Sequence, residues 1–121
     1  MLKKFEVMLY VQDVSIIGDF FEKALDAKIV KETNMIDGSI SLKLSLLDRV
    51  EINLYTIDFV KKYSPMVSLE MPSLMFIVDD IEEVHDQVAK YAKDISTISV
   101  QGGQKVFSFA DPEGHYFAVG N

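Results

Sequence analysis

Two strand–helix openings recur along the chain at a shift of 67 positions, Asp13 falling on Asp80. In the first, Val7, Leu9 and Val11 alternate with Glu6, Met8, Tyr10 and Gln12, the period of a strand with one face against a core. Asp13 follows as an N-cap, and Ile16, Ile17, Phe20, Phe21, Ala24 and Leu25 then recur at helical spacing. In the second, Leu74, Phe76 and Val78 alternate with Ser73, Met75, Ile77 and Asp79. Asp80-Ile81-Glu82-Glu83 has the form of a capping box, and Ile81, Val84, Val88 and Tyr91 make the apolar stripe. A strand–helix unit that occurs twice implies two modules, each covering one sheet face with a helix.

The segments after each helix read as strands. Ile29–Glu32 is short; Ile40, Leu42, Leu44 and Leu46 alternate with Ser41, Lys43 and Ser45; Asp48-Arg49 makes a hairpin turn into Val50–Tyr55. In that last strand Ile52 and Leu54 share one face, and Glu51, Asn53 and Tyr55 the other. Asp58 to Met71 lacks a clean period and reads as a surface connection with a helical turn at Phe59–Lys62. Gly102-Gly103 turns the chain before two strands joined at Asp111-Pro112-Glu113-Gly114, whose residues suit a type I turn. Asp111 is expected to bond its own backbone. The division is 1–57 for the first module, 58–71 for the connection and 72–121 for the second, all in one compact domain.

Composition bounds the function. There is no cysteine, hence neither a disulfide framework nor a thiolate metal site. No apolar run is long enough to span a bilayer, and Met-Leu-Lys-Lys-Phe-Glu lacks the form of a signal peptide, so a cytoplasmic protein is expected. A net charge of −7 without a basic face argues against nucleic acid.

Leu9-Tyr10-Val11-Gln12-Asp13, Phe76-Ile77-Val78-Asp79-Asp80 and Phe109-Ala110-Asp111-Pro112-Glu113-Gly114-His115 together resemble the vicinal oxygen chelate superfamily. That superfamily holds glyoxalase I, the bleomycin-resistance proteins and extradiol dioxygenases. The resemblance covers essentially the whole chain. It implies an α+β fold of two βαβββ modules with curled mixed sheets forming a cup. It also implies four metal positions, which fall here on Glu6, Glu51, Ser73 and Ala118. Only Glu6 and Glu51 bind metals well, and no histidine stands at any of the four. A transition metal prefers imidazole and usually takes three protein ligands, so the expected cofactor is none. Two carboxylates alone hold at best a hard divalent ion, weakly. His85 is read as solvated and His115 as capping turn backbone groups.

The alternation sets the expected cup lining: Glu6, Met8, Tyr10, Glu51, Asn53, Tyr55, Ser73, Met75, Ile77, Tyr116 and Ala118. Such adaptable, aromatic walls suit flat amphiphilic ligands. Two readings stand side by side. One is a metal-free binding protein of the bleomycin-resistance kind. The other is a lyase or isomerase of the glyoxalase I kind, with Glu6 or Glu51 as base or as ligands of a weakly held divalent metal. Paired carboxylates in a cup without metal attract a cation, so the expected ligand is cationic or aromatic. A homodimer is expected, because the resemblance implies half-open cups completed by a second subunit.

Overall fold

The computed structural model describes residues 1–121. β1 (Phe5–Val11) leads to α1 (Val14–Leu25), which Asp13 caps by accepting the Ile16 N–H at 3.0 Å. With no glycine to end α1, Asp26 itself takes the left-handed conformation, φ 55°. β2 (Lys28–Asn34), β3 (Ile40–Leu47) and β4 (Val50–Thr56) follow. β4 returns to lie parallel to β1, giving the sheet order β1-β4-β3-β2.

The β3–β4 hairpin turns on Asp48-Arg49, with Arg49 at φ 62°. A plain two-residue hairpin would set Leu44 against Asn53 and mix the two faces. Instead the register slips by one between Ser45 and Leu47, so Leu44 faces Ile52 and Leu42 faces Leu54. The bulge at Leu46 thus reconciles a tight turn with two alternating strands.

The chain next forms α2 (Ile57–Tyr63), capped by Thr56, whose hydroxyl accepts the Phe59 N–H at 3.1 Å. The sequence suggests a single helical turn there; seven residues are too few to display a period. The second module has β5 (Met75–Ile77), α3 (Ile81–Ala89), β6 (Asp94–Ile95), β7 (Ser99–Gln101), β8 (Gln104–Ala110) and β9 (Tyr116–Gly120). Its sheet runs β5-β9-β8-β6, with β7 also on β8. β6 and β7 are too short to be legible as alternation. Asp80 accepts the Glu83 N–H at 3.1 Å, the first half of the expected capping box.

One core joins the modules. Leu9, Val11, Phe20, Phe21, Ile52, Leu54, Val88, Phe117 and Val119 are buried as expected, and Val7, Leu74, Phe76, Val78 and Val84 pack partly buried against them. Phe20 and Phe21 of α1 reach the other module, 5.8 Å from Phe109 and 5.8 Å from Phe117 between ring centroids. The β8–β9 turn makes a second bridge. The Glu113 carboxylate accepts the Gln12 and Asp13 N–H groups at 2.8 Å each, just before α1, where negative charge is favoured. Because both sheets give their helix-side faces to this core, their open faces turn outward from it. No helix is long and apolar enough to cross a membrane.

Candidate functional site

The open face of the first sheet carries Glu6, Met8, Glu51, Asn53 and Tyr55, because parallel pairing sets Glu6 beside Glu51, Met8 beside Asn53 and Tyr10 beside Tyr55. A cavity of about 320 Å³ lies over it. Its walls are Glu6, Met8, Lys31, Thr33, Met35, Ser41, Lys43, Asn53 and Tyr55, all from the first module. Ser41 and Asn53, on the two inner strands, are buried and form the floor. Aromatic rings continue from one end: Tyr10 lies 6.4 Å from Tyr55, Tyr55 stacks on Phe59 at 6.1 Å, and Phe59 meets Tyr63 at 5.0 Å.

The two carboxylates are not left facing each other unanswered. Lys4 Nζ sits 2.8 Å from Glu51 and 3.8 Å from Glu6; Lys43 Nζ sits 3.1 Å from Glu6 and 3.8 Å from Glu51. Asn53 also donates its amide to Glu6 at 2.7 Å. The Asn53 hydrogen bond, with Lys43 beside it, holds the Glu6 carboxyl below its ordinary pKa. The Glu51 carboxylate holds the Lys4 ammonium above its own. The expected attraction for a cation therefore loses its cause: two lysines already supply the positive charge. A lowered pKa also makes Glu6 a poor base at neutral pH.

The remaining expected site residues belong to the second module and do not line this cavity. Ser73 precedes β5 and is exposed. Ala118 pairs with Met75, and its N–H donates to Leu74 O at 3.1 Å. In the first module Glu6 pairs with Glu51, so a shift of 67 would pair Ser73 with Ala118; the observed register differs by two residues. The repeat that aligns the helix caps thus does not carry through to the closing strands. Met75 and Ile77 instead line an apolar groove of about 430 Å³, which runs past Phe5, Val7, Leu46, Leu47 and Val50 on the first module. Tyr116 donates its hydroxyl to Asp94 at 2.8 Å, and this bond raises its pKa.

The donor set does not fit a resident divalent metal. Glu6 and Glu51 are held by lysines and an amide, Ala118 has no donor atom, and no three acidic, histidine or cysteine side chains gather anywhere. The histidines differ from the sequence reading. His85 is half-buried, with its Nε2 2.7 Å from Ser96 O and its ring edge-on to Phe107 at 4.8 Å. His115 Nδ1 bonds the buried Asp111 carboxylate at 2.8 Å and caps no backbone group with its ring. Asp111 itself bonds turn backbone, as expected, accepting the Glu113 and His115 N–H groups.

Several residues in or beside the cavity escaped the sequence reading. Lys43 and Ser41 were visible in the alternation of β3, but only the bulged register sets Lys43 opposite Asn53. Lys4 lies before the strand pattern begins, and Lys31 and Thr33 depend on a second bulge between Ile29 and Lys31 that no local signal announces.

The same fold recurs in solved structures. TioX from Micromonospora sp. ML1 is 17% identical over 99% of this chain and 98% of its own, with a TM-score of 0.81. TnmS3, an antibiotic binding protein from Streptomyces sp. CB03234, is 12% identical over 98% and 94%, with a TM-score of 0.77. A glyoxalase family protein from Enterococcus faecalis is 22% identical over 96% and 94%, with a TM-score of 0.74. Comparison with curated proteins gives no match. The family model of the Glyoxalase/Bleomycin resistance protein/Dioxygenase superfamily matches residues 5–119, and with it the chain belongs to that superfamily.

Proposed function

We propose that this chain is a small-molecule binding protein that takes a flat aromatic or amphiphilic molecule on the open face of its first sheet, without a metal. The observation that carries this reading is the occupation of Glu6 and Glu51 by Lys4, Lys43 and Asn53 next to a cavity walled by Met8, Met35 and Tyr55. Ion-paired carboxylates are spent as metal ligands, while thioethers and a phenol ring give an adaptable apolar wall. At about 320 Å³ the cavity sits at the small end of ligand sites. TnmS3, whose name describes antibiotic binding, shares the fold and supports this direction.

The working form in this proposal is a homodimer, with the second sheet of one copy covering the first sheet of the other. Met8, Met75, Ile77 and Tyr116 are exposed, as is Phe5 on edge strand β1. Large apolar side chains gathered at the surface mark a contact face.

Calorimetric titration of chelator-treated protein with 2-naphthalenemethanol tests the reading. Saturable binding is expected, weakened about ten-fold by Tyr55→Ala, in keeping with the loss of one aromatic contact. Binding that appears only after Zn²⁺, Ni²⁺ or Mg²⁺ is added would contradict it. A sedimenting species of 13.7 kDa alone would remove the dimer from the proposal.

A further inference from the structure

The two lysines on neighbouring strands β2 and β3 of the first sheet differ in what answers them. Lys43 has Glu6 at 3.1 Å. Lys31, directly opposite Lys43 in the β2–β3 ladder, has no ion pair at all. Like charges set opposite each other across a ladder are unfavourable, so this pairing asks for a reason.

The bulge in β2 creates the pairing. Ile29 faces Leu44, and in a regular ladder Val30 would come next, opposite Lys43. The register skips Val30 and sets Lys31 there, so Lys31 and then Thr33 fall on the open face in place of Val30 and Glu32. Bulges commonly re-aim a side chain next to a site. Here the bulge removes an apolar and an acidic residue from the cavity wall and supplies an ammonium and a hydroxyl. Thr33 stands opposite Ser41, so two hydroxyls flank the two lysines. The whole group on this face has three lysines, Lys4, Lys31 and Lys43, against two glutamates, Glu6 and Glu51. It is locally positive on a chain of net charge −7.

We propose that Lys31, with Lys43 beside it, forms an anion subsite of this cavity, so the preferred ligand is an aromatic carboxylate or a similar aromatic anion. The ring lies toward Met8 and Tyr55, and the acid group lies at the β2–β3 side, where Thr33 and Ser41 offer hydroxyl donors. An ammonium donates a charge-assisted hydrogen bond to a carboxylate, and the bound anion relieves the Lys31–Lys43 repulsion. This inference rests on the small-molecule reading and gives it a ligand charge.

The test is a calorimetric comparison of three ligands of one ring system at pH 7: 2-naphthoate, 2-naphthalenemethanol and 2-naphthylmethylammonium. 2-Naphthoate should bind tightest. Lys31→Gln should weaken it about ten-fold, as for one lost charge-assisted contact, and weaken 2-naphthalenemethanol much less, since the alcohol carries no charge to lose. Lys28→Gln, an exposed charge on the same strand outside the cavity, should change neither. Equal or tighter binding of the ammonium, or a Lys31→Gln protein that keeps its affinity for 2-naphthoate, overturns the anion subsite and leaves small-molecule binding standing. No saturable binding of any of the three overturns both.

Discussion

Phe21→Ala should lower unfolding stability by about 3–5 kcal/mol, the range for truncating a fully buried phenylalanine. Phe21 is 0% exposed and stands on α1 of the first module. Its ring lies 5.6 Å from Phe20, 6.4 Å from Phe76 and 5.8 Å from Phe117, the last two in the other module. Removing it opens a void where the two sheets share their core. Small domains are stable by only about 5–15 kcal/mol, so this one change should move the urea midpoint far. Ile16→Ala, on the same helix but 51% exposed, should stay within about 0.5 kcal/mol and controls for helix propensity. A Phe21→Ala protein within about 1 kcal/mol of the parent would mean that α1 does not join the modules.

Asp111→Ala comes next, with an expected loss of about 2–4 kcal/mol. The carboxylate is buried and accepts the Glu113 N–H at 2.9 Å, the His115 N–H at 3.0 Å and the His115 ring nitrogen at 2.8 Å. Alanine takes the acceptor from all three donors and leaves a void where the buried carboxylate sat. It also loosens Glu113, whose carboxylate holds the Gln12 and Asp13 N–H groups at the start of α1. The damage should therefore spread to the first module, visible as faster amide exchange at Gln12 and Asp13. Asp111→Asn keeps one acceptor oxygen and should lose less. A thermal midpoint for Asp111→Ala within about 3 °C of the parent would contradict this account.

The elements with a long period were legible in the sequence. β1, α1, α3 and the closing hairpin announce themselves through alternation, helical spacing, Asp caps and an Asp-Pro-Glu-Gly turn. What escaped is set by short or irregular backbone. α2 has seven residues and β6 two, too few for a period to show. The two bulges, at Leu46 and at Val30, decide which side chains share the cavity. A bulge shifts every later residue to the other face, and nothing in the residues around Val30 signals one. Hence Glu6, Met8, Asn53 and Tyr55 could be placed from sequence, while Lys31 and Thr33 could not. The charge of the site was misjudged for a related reason. Lys43 was legible as an open-face residue, but its approach to Glu6 depends on the β3–β4 register, and that of Lys4 to Glu51 on chain before β1.

The claim that an aromatic molecule binds on the open face of the first sheet, with no metal, is tested most directly by mapping where it binds. Backbone and side-chain amide shifts of chelator-treated protein are followed while 2-naphthalenemethanol is added. The expected result is a saturable set of changes centred on Ser41, Asn53 and Tyr55, with the Asn53 side-chain amide among the largest because it sits on the cavity floor bonded to Glu6. Changes confined to the groove between Phe5, Leu47 and Met75, or none until a divalent metal is supplied, would contradict the account.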